Sequence, residues 1–223
     1  MVKKTEGMNM GNAVGIEYGL PIASEAEALA GLLARVFSSR DPPAYAVGIT
    51  AGEFEAFARL LCPKAVTDEL TIVVRRADTH ELVGVMLNED CASPMPEGIE
   101  RLSRKFDPIL DILGQLSAEY WGDRPAGPGE SIHLFLLGVA EEHSGKGMAQ
   151  QLVAESLKFG AARGFRRAVT EATNKVSQHV FRKLGFRERV RRSYLDHHYE
   201  GRACFASIAE HGGPILMDRS LLS

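Results

Sequence analysis

Between residues 131 and 163 the hydrophobic pattern changes period. SIHLFLLGVA, residues 131–140, is a near-continuous apolar run, as expected of a strand buried on both faces. After a glycine-containing turn the pattern becomes that of an amphipathic helix reaching about Arg163. Upstream, residues 15–20 read as a short strand and 23–39 as a helix, with Leu29, Leu32, Leu33 and Phe37 at helical spacing. RDPPAYAVG reads as a loop, because Pro42 and Pro43 cannot continue a helix. A second helix is expected over 52–62, with Phe54, Phe57 and Leu61 on one face. Strands follow at 69–76 and 81–89 around a polar turn at Ala77–His80. The stretch from Pro96 to Gly122 reads as helical despite Pro108. Residues 166–173 predict a strand, and 174–186 a helix closed by Gly185 as a C-terminal cap. Strands near 186–197 and 214–220 complete the chain. The order β-α-α-β-β-α-β-α-β-α-β-β, without repeats, predicts one mixed α/β domain over 15–223 behind a flexible tail, 1–14.

Composition narrows the class without choosing a function. The 223 residues are enough for one substantial core, and a formal charge of -3 gives no reason to expect nucleic acid or an anionic membrane as partner. No apolar run is long enough to span a membrane, and no apolar segment follows the basic residues at the N-terminus. Cys62, Cys91 and Cys204 are scattered, with no C-x-x-C spacing, so they read as reduced thiols of a cytoplasmic protein with no metal site.

The chemistry centres on SGKGMA, residues 144–149, where the strand hands over to the helix. Glycine is costly at such a junction unless something approaches the backbone closely. A Walker-type phosphate loop would need glycine at Ala140 and Ser or Thr at Gly147. A dinucleotide fingerprint would need its third glycine at Gln150. Both fail.

SGKGMA instead resembles the acyl-CoA pyrophosphate loop of the GNAT acetyltransferase superfamily, Q/R-x-x-G-x-G/A, with Ser144, Gly147 and Ala149 at the first, fourth and sixth positions. Downstream, NKVSQHVFRKLGF resembles the family block N-x-x-A/S-x-x-x-Y-x-K-x-G-F through Asn174, Ser177, Phe181, Gly185 and Phe186. The chain departs from the pattern at Ser144, where the family has Gln or Arg, and at Phe181, where it often has tyrosine.

The resemblance implies the GNAT acyl-CoA N-acyltransferase fold, a central mixed β-sheet flanked by helices. It also implies acetyl-CoA as the acyl donor and no metal. Successive backbone N–H groups of Ser144, Gly145, Lys146, Gly147, Met148 and Ala149, at the positive end of a helix, would cradle the diphosphate. Backbone groups around Leu137 and Val139 would pair with the pantetheine arm, with Asn174 and Ser177 on its other side. The acceptor would be the primary amine of a small molecule, and a base must take its proton.

Three residues stand as candidates for that base. His133 falls on the first histidine of the H-x-H-x-L-A-V strand of vertebrate arylalkylamine acetyltransferases. Asp41 lies in a loop resembling the acidic E-P-L loop of the insect enzymes. Glu171 lies late in the following strand. Each has a plainer reading, as a packed core histidine, a turn carboxylate or an ion-paired carboxylate. Ser177 stands one turn before Phe181 and is the candidate proton donor to the leaving thiolate.

The basic cluster Arg182, Lys183, Arg187, Arg189, Arg191 and Arg192 reads as a solvated face, or as a contact for the cofactor's 3′-phosphate or an acidic partner. Two rival functions stand beside the small-amine enzyme. One is an acetyltransferase for an antibiotic, a polyamine or a protein amine. The other is an acyl-CoA-binding interaction module without useful turnover, and a monomer or a homodimer suits any of them.

Overall fold

The structure, a computed structural model, describes residues 15–222; the expected tail, 1–14, lies outside the described residues. Among the described residues one sheet of seven strands, in the order β1-β2-β3-β4-β5-β7-β6, organises the fold. The strands are β1 (Ile16–Gly19), β2 (Ile72–Arg76), β3 (Leu82–Asp90), β4 (Ser131–Val139), β5 (Arg167–Ala172), β6 (Arg187–Arg191) and β7 (Ile215–Ser220). Every pairing is antiparallel except β4 with β5 at the centre. This is the mixed sheet expected from the order of elements.

Alternation along the strands feeds two apolar layers. Val73, Val85 and Leu87 face one cluster, while Ile72, Val74 and Met86 face the other. The first layer is built by α1 (Ala26–Arg40) and α3 (Ala51–Thr67), which present Leu29, Leu32, Leu33, Phe54, Phe57 and Leu61 at helical spacing. Leu33 has no exposed surface, so shortening it to alanine would cost about 2–5 kcal/mol. The second layer is built by α5 (Met148–Ala162) and α6 (Lys175–Lys183). A further helix, α4 (Asp107–Trp121), sets Leu116 against Val169 of β5, Val190 of β6 and Leu216 of β7.

Several boundaries differ from those the sequence predicts. RDPPAYAVG is not a loop: Pro42–Ala46 form a short helix, α2, with both prolines in its first turn. Proline cannot extend α1, but its fixed φ and missing N–H suit a helix start. The second long helix runs on to Thr67 across Pro63. The helix expected from residue 96 begins at Asp107, after short 3-10 turns, and Pro108 sits in its first turn rather than its interior. The strand expected over 186–197 ends at Arg191, and residues 192–214 leave the sheet. That excursion packs Tyr194, Phe205 and Ile208 with Ile112 of α4, against Ala46 and Val47 beside α2. It therefore walls the face of the sheet that carries α1 to α4.

Candidate active site

The parallel pair β4–β5 is short. Its register runs from Ser131–Arg167 to His133–Val169 and stops. Beyond it, Leu137 and Val139 still pair with β3, opposite Met86 and Gly84, but nothing in β5 pairs with them. Thr170 donates its hydroxyl to the Leu134 carbonyl (2.8 Å), which satisfies one acceptor at the fork. The strands thus part at their carboxyl ends, where ligand crevices form in sheets with parallel strands. One irregularity shapes the fork. Leu136 faces Leu87 and Leu134 faces Asn88, leaving Phe135 as an extra residue in β4. The bulge turns Phe135 toward the α1–α3 layer, where its ring stacks on His133 (centroids 5.0 Å apart, planes at 26°).

The glycine turn follows β4. Gly145 and Gly147 both have positive φ (75° and 79°), and a Cβ built on either would meet nothing within 4 Å. The backbone there is open to an approaching group, and Gly147 directly precedes α5. A diphosphate fits such a site: space above the turn, amides within it, and the positive end of a three-turn or longer helix behind it. Lys146 does not stand over the turn, because its ammonium donates to the Glu142 carbonyl (3.1 Å). Met148, the first residue of α5, is buried in the second layer with Ala149 packed against it, so these two side chains of 144–149 serve packing.

Across the fork, α6 begins with a capping box. The Asn174 side chain accepts from the Ser177 amide (2.9 Å), while the Ser177 hydroxyl donates to the Asn174 carbonyl (3.0 Å). The single proton of Ser177 is therefore engaged within the helix end. Phe181 is buried against Phe186, without a polar atom to offer.

Asp41 caps α2 by accepting the Ala44 amide (3.2 Å) and accepts the Thr173 hydroxyl (2.9 Å) from just past β5. Burial penalises its charge more than these two neutral donors favour it, and its pKa is pushed up to about 6. Tyr194 of the excursion donates to the Thr173 carbonyl (2.7 Å), tying the wall to the same point.

His133 and Glu171 come together, as their positions on neighbouring strands allow. Nε2 of His133 lies 2.6 Å from Glu171 and Nδ1 lies 3.0 Å from Glu89 of β3. Ionised carboxylates only accept, so both ring nitrogens are donors and the ring is an imidazolium. Burial alone would lower its pKa, but the charge of Glu171 and the hydrogen bonds to both carboxylates raise it to about 10. Glu171 suffers the same burial penalty; the imidazolium and the Ser117 hydroxyl outweigh it, and its pKa is lowered. A histidine held in this way has no lone pair to accept a proton near neutral pH.

Two features escape sequence reading. Glu89 holds the second nitrogen of His133, though only strand register brings it there. Arg40 ends α1 and donates to the Ser144 hydroxyl at 2.7 Å, from 104 positions away. Four members of the basic cluster are paired: Arg182 and Arg191 share Glu188, Arg189 holds Asp218 and Arg192 holds Glu119. Among the described residues no group of three or more His, Cys, Asp or Glu side chains is placed to hold a metal, and no helix is long and apolar enough to cross a membrane.

The described residues thus combine a forked mixed sheet, a glycine turn after its fourth strand and a half-buried carboxylate, Asp41, beside the fork. Residues 52–186 match the sequence model of the Acetyltransferase (GNAT) family, more than half of the chain, and the protein belongs to that family. Solved structures agree on the fold. Arylalkylamine N-acetyltransferase 2 from Aedes aegypti superposes with a TM-score of 0.77 at 21% identity, covering 93% of this chain and 99% of that one. The C-terminal condensation domain of Ebony, solved with beta-alanyl-dopamine, gives 0.81 at 16% identity, covering 93% and 100%. The Drosophila melanogaster polyamine N-acetyltransferase that forms N-acetylagmatine gives 0.71 at 16%, covering 92% and 100%. As a GNAT member the protein is an acyl-CoA-dependent N-acetyltransferase.

Proposed function

We propose that the protein acetylates the primary amine of a small molecule, with Asp41 as the group that takes the amine proton. The observation that carries this reading is the state of Asp41: a carboxylate at the fork, bonded only to neutral donors, with a pKa raised to about 6. A group titrating there is ionised at pH 7 and still basic enough to accept a proton. Its two hydrogen bonds, from Ala44 and Thr173, leave carboxylate lone pairs that can take a proton.

Acetyl-CoA supplies the thioester carbonyl that the amine attacks. The amides of residues 144–149 hold its diphosphate, and the free backbone edge of Leu137 and Val139 lines its arm with Asn174 opposite. As the N–C bond forms the nitrogen becomes cationic and acidic, and its proton passes to Asp41 as the C–S bond breaks. Ser177 serves the helix cap in this reading, and the thiolate takes its proton from water. The group Glu89–His133–Glu171 has two carboxylates for one imidazolium, so it leaves a net negative charge beside the fork. That charge favours an acceptor arriving as its ammonium form, which gives a first proton to water before the neutral nitrogen attacks.

A second reading, a domain that binds an amine and acyl-CoA without efficient transfer, is favoured by one observation: no free hydroxyl faces the leaving sulfur from Ser177 or Phe181. Thiol release from acetyl-CoA, measured with tyramine, agmatine and spermidine, separates the two. Amine-dependent release supports the enzyme; tight acetyl-CoA binding without release with any of them supports the binding domain.

A further inference from the structure

We propose that Arg40 is the phosphate-binding cation of the glycine turn, supplied from α1 because the turn's own cation is engaged elsewhere. This rests on the reading of residues 144–149 as a diphosphate cradle. Lys146, the one basic residue within the turn, is drawn back to the Glu142 carbonyl. Ser144 is short and neutral, but its hydroxyl accepts from Nη1 of Arg40 at 2.7 Å. Nη2 of the same guanidinium meets Glu141 at 3.1 Å. The fork of donors is thus held at the first residue of the turn, at a serine whose side chain serves as its bracket.

Glu141 is the placeholder. Its side chain is 85% exposed, so its pairing with Arg40 is worth little in water. A diphosphate offers more charge and planar oxygen pairs that a guanidinium grips with two donors at once. Arg40 exchanges Glu141 for phosphate oxygens and keeps its bond to Ser144. The next residue is Asp41, bonded to Thr173 at the other lip of the fork. Two consecutive residues therefore span the mouth, Arg40 on the β4 side and Asp41 on the β5 side.

Calorimetric titration with acetyl-CoA tests this. Arg40→Met is expected to weaken binding about tenfold, the effect of one charge-assisted phosphate contact. Arg40→Met combined with Ser144→Arg is expected to return affinity to within threefold of wild type, since the guanidinium is restored at the same place. Glu141→Gln, a change on an exposed side chain, is expected to tighten binding in the wild type and to do nothing in the Arg40→Met background. Wild type that fails to bind acetyl-CoA overturns the diphosphate reading and this inference with it. Wild type that binds, with Arg40→Met within twofold of it or with Glu141→Gln acting equally in both backgrounds, overturns the inference alone.

Discussion

Asp41, bonded to Thr173, and Glu171, two residues before Thr173 in the chain, are both carboxylates near the end of β5, and their surroundings drive them in opposite directions. Glu171 faces an imidazolium at 2.6 Å and is held ionised below its usual range. Asp41 faces only an amide and a hydroxyl, and burial lifts it to about 6. Burial is the largest influence on both, so the difference comes from the partner. A carboxylate beside a cation is committed to that cation; one held by neutral donors stays available to a proton. Separating two acids by their environments in this way assigns the roles.

The contrast can be broken most severely at Asp41. Asparagine caps a helix as well as aspartate does, so Asp41→Asn should fold normally while losing about 10²–10³-fold in kcat/KM. Acetyl-CoA affinity, measured in parallel, should change far less.

His133→Gln comes next and acts on stability. It leaves Glu89 and Glu171 facing each other without their cation, at an expected cost of about 3 kcal/mol at pH 7, read from denaturant unfolding. The sign with pH follows from the raised pKa of the histidine. In the wild type its contribution is complete below ~6.5 and is lost as pH rises toward about 10. Wild-type stability should therefore fall across that window, and the variant's should not follow it.

Glu171→Gln sharpens the comparison by sparing the other acid. Activity should fall by less than about tenfold, and the inflection of the pH–rate curve near pH 6 should stay. Smallest is Ser177→Ala, which removes one side of the α6 capping box. Its cost should be about 1 kcal/mol of stability, with kcat changed by less than about threefold, because the hydroxyl proton is already donated to Asn174.

Features written in local pattern were legible in the sequence. The apolar run of β4, the glycine turn and the block from Asn174 to Phe186 are each set by neighbours along the chain, and each lies where expected. The same holds for the parting of β4 from β5, which the family resemblance implies and the short register displays. Asp41 and His133 could be named as candidates from their motifs, but their protonation could not. That depends on Glu89, Glu171 and Thr173, which strand register and a bulge at Phe135 bring in. The helix over Pro42–Ala46 was hidden by a rule applied in one direction only, since proline stops one helix and starts another. Arg40 was invisible for a plainer reason: a helix-end arginine looks solvated until the turn it reaches is folded beside it.

The most direct test is the pH dependence of kcat/KM for the wild type and Asp41→Asn, with an amine found by thiol release. Asp41 must be ionised to accept a proton, so the wild-type rate should rise with pH through an inflection at about 6. In Asp41→Asn that inflection should vanish along with most of the rate. A variant that keeps the inflection and stays within about threefold of wild-type activity would contradict Asp41 as the proton acceptor.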